Sequence, residues 1–300
     1  LKSIEVIFKQ KYTFWLKINF KFVVINKKEA VFLQLVFYCD RNIFLMDSYI
    51  ILFLCLAAFA AGFIDAIVGG GGLIQTPMGL ILLPNLPVST VIGTLKIPAF
   101  SGTAFAAFQY LKKVVIQWKL LIIMMCLAVP SAFLGSTILT LVSNDFMKPL
   151  LLVVLSLLFV YTYAKKNFGQ HVAKDHSAAT QIMYAVVISI IVGFYDGFIG
   201  PGTGSFFVVA FIALLGFDFL QASANAKMVN LATNFGSICL FMIKGKIIWA
   251  IAIPMAVSNG LGGWLGAKLA INKGNGFIRI FFLIVVVGTL IRFAYDVFFK

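Results

Sequence analysis

Residues 193–204 read GFYDGFIGPGTG, and residues 62–73, set 131 positions earlier, read GFIDAIVGGGGL. Each stretch places one aspartate and a cluster of glycines between two apolar runs. The offset continues without gaps: Gly62, Phe63, Asp65, Gly69 and Gly71 fall on Gly193, Phe194, Asp196, Gly200 and Gly202, and further along Lys96, Lys113, Ile116, Trp118 and Gly135 fall on Lys227, Lys244, Ile247, Trp249 and Gly266. Apolar coincidences are cheap in such a chain, but aspartate, lysine and tryptophan are scarce, so their alignment marks an internal repeat. A unit with an odd number of spans inserts upside down relative to its copy. Five segments per half therefore predict an inverted pair about an axis in the membrane plane, whereas four would make the units parallel.

The solvent for this repeat is lipid. Hydrophobic residues make up 62% of the 300 and charged residues 11%, with a mean hydropathy of +1.04. A water-soluble fold of this length needs more polar surface than 24 basic and 10 acidic residues supply. The net charge of +14 does not indicate nucleic acid, because basic residues beside apolar spans mark cytoplasmic loops and anionic lipid surfaces. Cys39, Cys55, Cys126 and Cys239 are scattered with no CxxC spacing, and His171 and His176 fall in a hydrophilic stretch. No metal site and no cofactor are expected.

Judged against the roughly 20 residues that cross about 30 Å of hydrocarbon, the apolar runs are 49–68, 73–83, 88–111, 120–142 and 149–163 in one half, and 182–199, 205–215, 219–243, 247–271 and 277–299 in the other. The expected fold is an all-α, polytopic membrane protein of 8–10 transmembrane segments, in two pseudo-symmetric repeats (46–164 and 182–300) joined by a hydrophilic linker (165–181). The segments that follow the glycine clusters are short, and read as half-spans or tilted helices lining a cavity. Residues 1–45 differ from the rest, carrying eight basic and three acidic residues among aromatics without a lipid-length run. They lack signal-peptide order, and the expectation is that Met46 is the native start and that they are upstream-translated sequence, the alternative being an amphipathic interfacial segment. With ten crossings, more lysines gather beside 112–119, 165–174 and 273 than on the opposite side, which puts both native ends outside.

Asp65, Asp196, Lys96 and Lys227 are the costly residues here, since even lenient insertion scales charge about 2.5–3.5 kcal/mol for each near a helix centre. One reading pairs aspartate with lysine as internal glue, or has the aspartates cap the next helix. The other turns these charges toward an aqueous cavity between the repeats, where a substrate binds. Glycine breaks let backbone approach a ligand and leave free amides at a helix start, which attracts anions. Gly71 and Gly72 in the first break, and Gly202, Thr203 and Gly204 in the second, are candidate ligands on this ground. Lys227, Asn230 and Asn234 recur at i, i+3 and i+7 and share a helix face, an anion-coordinating wall or a set of amides holding neighbouring helices.

The motifs AGFIDAIVGGGG, GTLK, GFYDGFIGPGTG, ANAKMVNLATN and KGKIIW, in that order from about Met46 to the C-terminus, resemble the sulfite exporter TauE/SafE family of bacterial membrane transporters. The resemblance implies a multi-pass protein of the bacterial inner membrane that moves small anions such as sulfite or organosulfur compounds. Many members have asparagine before the first lysine, where this chain has Leu95, which bears on the identity of the substrate. Substrate binding is expected at Lys96, Lys227, Asn230, Asn234 and the glycine breaks, with Asp65 and Asp196 as proton-coupling candidates. The expected partners are a small inorganic or organosulfur anion and membrane lipid, with no nucleic acid, and a homodimer stays open. A passive anion channel is the alternative within the class. A membrane-embedded enzyme using Asp196 as a base is the alternative outside it, weakened because no nucleophile, metal set or histidine accompanies the aspartates.

Overall fold

The computed structural model describes residues 48–143 and 177–299. Residues 1–47 with the Met46 reading, the expected span 149–163 and most of the linker lie outside them. The described residues form eight helices and no strand: α1 Ser48–Val68, α2 Gly72–Leu82, α3 Val88–Leu111, α4 Trp118–Leu141, α5 Ala178–Phe198, α6 Thr203–Leu215, α7 Phe219–Ile243 and α8 Trp249–Phe299. Five of these, α1, α3, α4, α5 and α7, are long and apolar enough to cross a membrane.

Local chemistry explains where the helices begin and end. Pro87 precedes α3. Asp218 caps α7, its Oδ1 accepting the Gln221 amide at 2.7 Å. Ser177 does the same for α5 through the Thr180 amide at 3.3 Å, so that helix starts at Ala178, within the stretch the sequence assigns to the linker, and not at Ile182 where the apolar run begins. The short helices are short because of their breaks: α2 has 11 residues and α6 has 13, which at 1.5 Å per residue is well under the hydrocarbon thickness. α8 runs through Gly274, whose φ of 71° and ψ of −166° are not helical. That kink separates the 247–271 and 277–299 segments expected from the sequence, and the Asn275 Oδ1 beside it accepts the Leu220 amide at 2.8 Å.

The principal packing pairs are α1 with α8, α5 with α4, α3 with α8, α7 with α4, and α3 with α7. The 131-residue offset carries α1 to α5, α3 to α7 and α4 to the start of α8, so the first two contacts exchange with each other, as do the next two, and the last returns to itself. Individual atoms follow the same rule. A Cβ on Gly135 would strike the Phe194 carbonyl, and one on Gly266 would strike the Phe63 carbonyl. Small residues let these backbones touch, which is how helices associate where lipid removes the hydrophobic incentive. The outward faces are the complement: Tyr49, Leu52, Phe53, Leu56 and Phe59 on α1, and Ile253, Val257, Leu261 and Leu265 on α8, are exposed at helical spacing, a surface suited to hydrocarbon.

Candidate functional site

The two glycine breaks meet at the centre of the structure. Asp65 lies in the last turn of α1, and Gly69 ends the helix with φ of 84°, its amide donating to the Asp65 carbonyl at 2.8 Å. Asp196 occupies the same place in α5, where Gly200 has φ of 87°. The breaks cross in contact: the Ser205 amide donates to the Gly69 carbonyl at 3.0 Å, and Ser205 Oγ donates to the Val68 carbonyl at 2.9 Å. Any Cβ on Gly69 would run into the Gly204 backbone. Gly69→Ala therefore combines left-handed strain, about 1–3 kcal/mol, with a backbone collision. Gly245, with φ of 61° and open space around it, isolates the strain alone. Thermal unfolding of detergent-purified protein is expected to show a clearly larger loss for Gly69→Ala than for Gly245→Ala, and equal losses would mean that the crossing is not tight.

Both intramembrane aspartates are paired with a lysine of the other half. Lys96 Nζ donates to Asp196 Oδ2 at 2.9 Å and to the Asp196 carbonyl at 2.8 Å. Lys227 Nζ donates to Asp65 Oδ2 at 3.0 Å. The offset of 131 converts one pair into the other. A carboxylate at a helix C-terminus opposes the macrodipole, and the lysine offsets that as well as the burial. Asp65 also accepts the Gly71 amide on Oδ1 at 3.3 Å, so ion pairing is present at this residue, while α2 itself begins without a side-chain cap.

The pairs differ in position. A cavity of about 60 Å³ is lined by Lys96, Asp196 and Asp65, by Gly71, Gly72, Gly202, Thr203 and Gly204 of the breaks, and by Asn230 and Asn234 of α7. Of the candidate residues named from sequence, Lys227 alone is off this wall: it is fully buried behind Asp65. Lys96 commits two of its three N–H donors to Asp196, and the third has no protein acceptor among the described residues. Among the described residues, the amides of Gly72, Gly202 and Gly204 are likewise without a hydrogen-bond partner. Asn230 and Asn234 brace one another at 3.5 Å, Asn234 Nδ2 donating to Asn230 Oδ1, and Thr233 Oγ1 holds the Asn230 carbonyl at 2.9 Å.

Sequence reasoning passed over a further polar pair on the wall. Gln75 on α2 donates through Nε2 to the Leu95 carbonyl at 2.8 Å and accepts from Asn259 Nδ2 of α8 at 2.6 Å. The signal was present, since both are uncharged amides inside apolar runs, but the offset gives no matching amide partner: it carries Gln75 onto Phe206, and Asn259 back onto Ala128. The cavity wall thus carries four side-chain amides, those of Gln75, Asn230, Asn234 and Asn259. Its chemistry is one ammonium, two carboxylates, amide groups and no cluster of metal-ligating side chains among the described residues.

Comparison with known proteins adds the following. The family described as "Sulfite exporter TauE/SafE" matches residues 54–293. A Sinorhizobium protein named "Probable membrane transporter protein ORF9" is 34% identical over 248 residues, covering 83% of this chain and 94% of its own. A Haemophilus influenzae "Probable membrane transporter protein" is 34% identical over 262 residues, covering 84% and 96%, and the Escherichia coli protein YfcA, named in the same way, is 29% identical over 256 residues, covering 85% and 94%. No solved structure matches the chain.

Proposed function

The chain belongs to the sulfite exporter TauE/SafE family, and on that premise we propose that it is a secondary transporter of small anions, sulfite or organosulfur compounds, with its binding site where the two glycine breaks cross. Two inverted repeats in the bacterial inner membrane provide the frame for this mechanism. The observation that carries the reading is Lys96, a cation on the cavity wall held by the other half's Asp196 at 2.9 Å. An empty site of this kind is internally neutral. An incoming anion competes with Asp196 for the ammonium, and the unpartnered amides of Gly72, Gly202 and Gly204 on the same wall are further donors for it. Asp196, displaced from its partner, is the carboxylate this reading assigns to carrying a proton. Loading the anion and protonating Asp196 then become one event, and a proton gradient can drive the exchange.

The test is uptake of labelled sulfite, sulfate, thiosulfate and sulfonates into liposomes holding the purified protein, with and without an imposed pH gradient. Gradient-dependent uptake and acceleration by unlabelled anion on the far side are expected, because an open pore shows no such counterflow. Asp196→Asn keeps the size and much of the hydrogen bonding but fixes the group as neutral. It should remove the dependence on the pH gradient while leaving anion exchange. Full gradient-driven uptake in that variant would remove the proton from Asp196.

A further inference from the structure

Two stripes leave the cavity along the two helices that pack against each other at its centre. On α7 the face carries Lys227, Asn230, Asn234, Ser237 and Phe241, spaced by three and four residues, and on α3 the same register carries Lys96, Ala99, Thr103, Ala106 and Tyr110. Asn230, Asn234, Ala99 and Thr103 line the cavity. Phe241 and Tyr110 are fully buried, each in an apolar cluster beyond it. The cluster around Phe241 comprises Val88, Ile92, Leu139, Ile199, Ile238, Ile247 and Ala252. Under the 131-residue offset Val88, Leu139, Ile199, Ile238, Phe241 and Ala252 land on Phe219, Ala270, Val68, Ala107, Tyr110 and Leu121, all of them buried in the cluster around Tyr110. Each stripe therefore ends in a buried apolar plug, the one around Tyr110 being part of a larger cluster.

The plugs are not sealed alike. Tyr110 donates its hydroxyl to the Ala66 carbonyl at 3.0 Å, tying α3 to the end of α1, and the position before it on the stripe is the apolar Ala106. Phe241 has no hydroxyl to tie. The position before it is Ser237, fully buried, whose Oγ is the one buried side-chain polar atom among the described residues without a hydrogen-bond partner. Burying a hydroxyl unpartnered is costly, a cost that water filling the stripe would relieve. Ile92 and Ile199 belong to the Phe241 plug and to the cavity wall at once, so this plug adjoins the site directly, with Ser237 midway along the roughly 10 Å that separate Asn234 from Phe241.

We propose that the α7 stripe from Asn234 past Ser237 to Phe241 is a water-admitting passage to the anion site, closed here by the Phe241 plug, and that the α3 stripe behind Tyr110 is the side held shut. Hydrophobic constrictions of this kind gate by wetting and dewetting. The inference rests on the transporter reading for its purpose, but its test does not use flux. In full-length protein with all four native cysteines replaced, Ser237→Cys or Ala106→Cys is reacted with a small charged methanethiosulfonate, and the modified fraction is followed by mass spectrometry. Ser237→Cys is expected to react, at least tenfold faster when Phe241→Leu or Phe241→Ala opens the plug, with Ala106→Cys inert in both backgrounds. A Ser237→Cys thiol that stays unreactive with either Phe241 variant overturns the passage, and Ala106→Cys reacting as fast overturns the difference between the two sides. Labelling without any anion flux in the liposome assay would retire the transporter reading and leave the passage; flux with an inert Ser237→Cys would do the reverse.

Discussion

Lys96→Met is expected to lower anion transport by about ten- to a hundredfold, on the scale of one lost hydrogen bond to a charged group, about 1.5–3 kcal/mol. Methionine keeps an unbranched chain of similar reach and deletes only the charge and donors. The same change strands Asp196, which is nearly buried, and breaking a buried ion pair from one side costs about 3–5 kcal/mol. Loss of flux in the single variant therefore mixes two causes. Lys96→Met/Asp196→Asn separates them, because a neutral amide tolerates the site without the ammonium. The double variant should regain most of the thermal stability and none of the transport. Normal transport by a stable double variant would show that Lys96 is an internal strut, and the cavity would then have to bind anions through its glycine amides alone.

Much of this architecture could be read before any coordinate. The 88–111 and 219–243 runs became α3 and α7 residue for residue, because Pro87 and Asp218 fix one end and a lysine past each apolar run marks the other. The short segments after the glycine clusters appear as α2 and α6, since a left-handed glycine both ends one helix and frees the start of the next. Less legible was which charge faces the cavity. Lys96 and Lys227 are equivalent under the offset, and sequence treats them alike. Their difference arises from tertiary packing: α7 is the most enclosed of the five helices α1, α3, α4, α5 and α7, and it holds Lys227 at zero exposure. The partner of each lysine was equally hidden, for an aspartate of the same half is nearer in sequence than the one 100 or 162 residues away that it meets. The pairing of Gln75 with Asn259 spans 184 residues and falls outside the repeat, so no local or periodic signal announces it.

That inequality between the lysines carries the second large expected effect. Lys227→Met removes a cation with no exposure and leaves Asp65, whose side chain is only 16% exposed, with the Gly71 amide as its remaining donor. The chain is expected to insert, since a costly charge has gone, yet to lose about 3 kcal/mol or more of stability in the folded state, visible as a low thermal midpoint and poor recovery in detergent. Lys227→Met/Asp65→Asn should restore that midpoint, and here transport should return with it, because Lys227 is not on the cavity wall and asparagine can still accept the Gly71 amide. The contrast with the other pair is what makes the test sharp: the same two substitutions made 131 residues apart should rescue stability both times and transport only once. Should the Lys227/Asp65 double variant fold well and carry no anion, Lys227 would have to reach the substrate in another conformation, and the two lysines would be alternating sites of one symmetric machine.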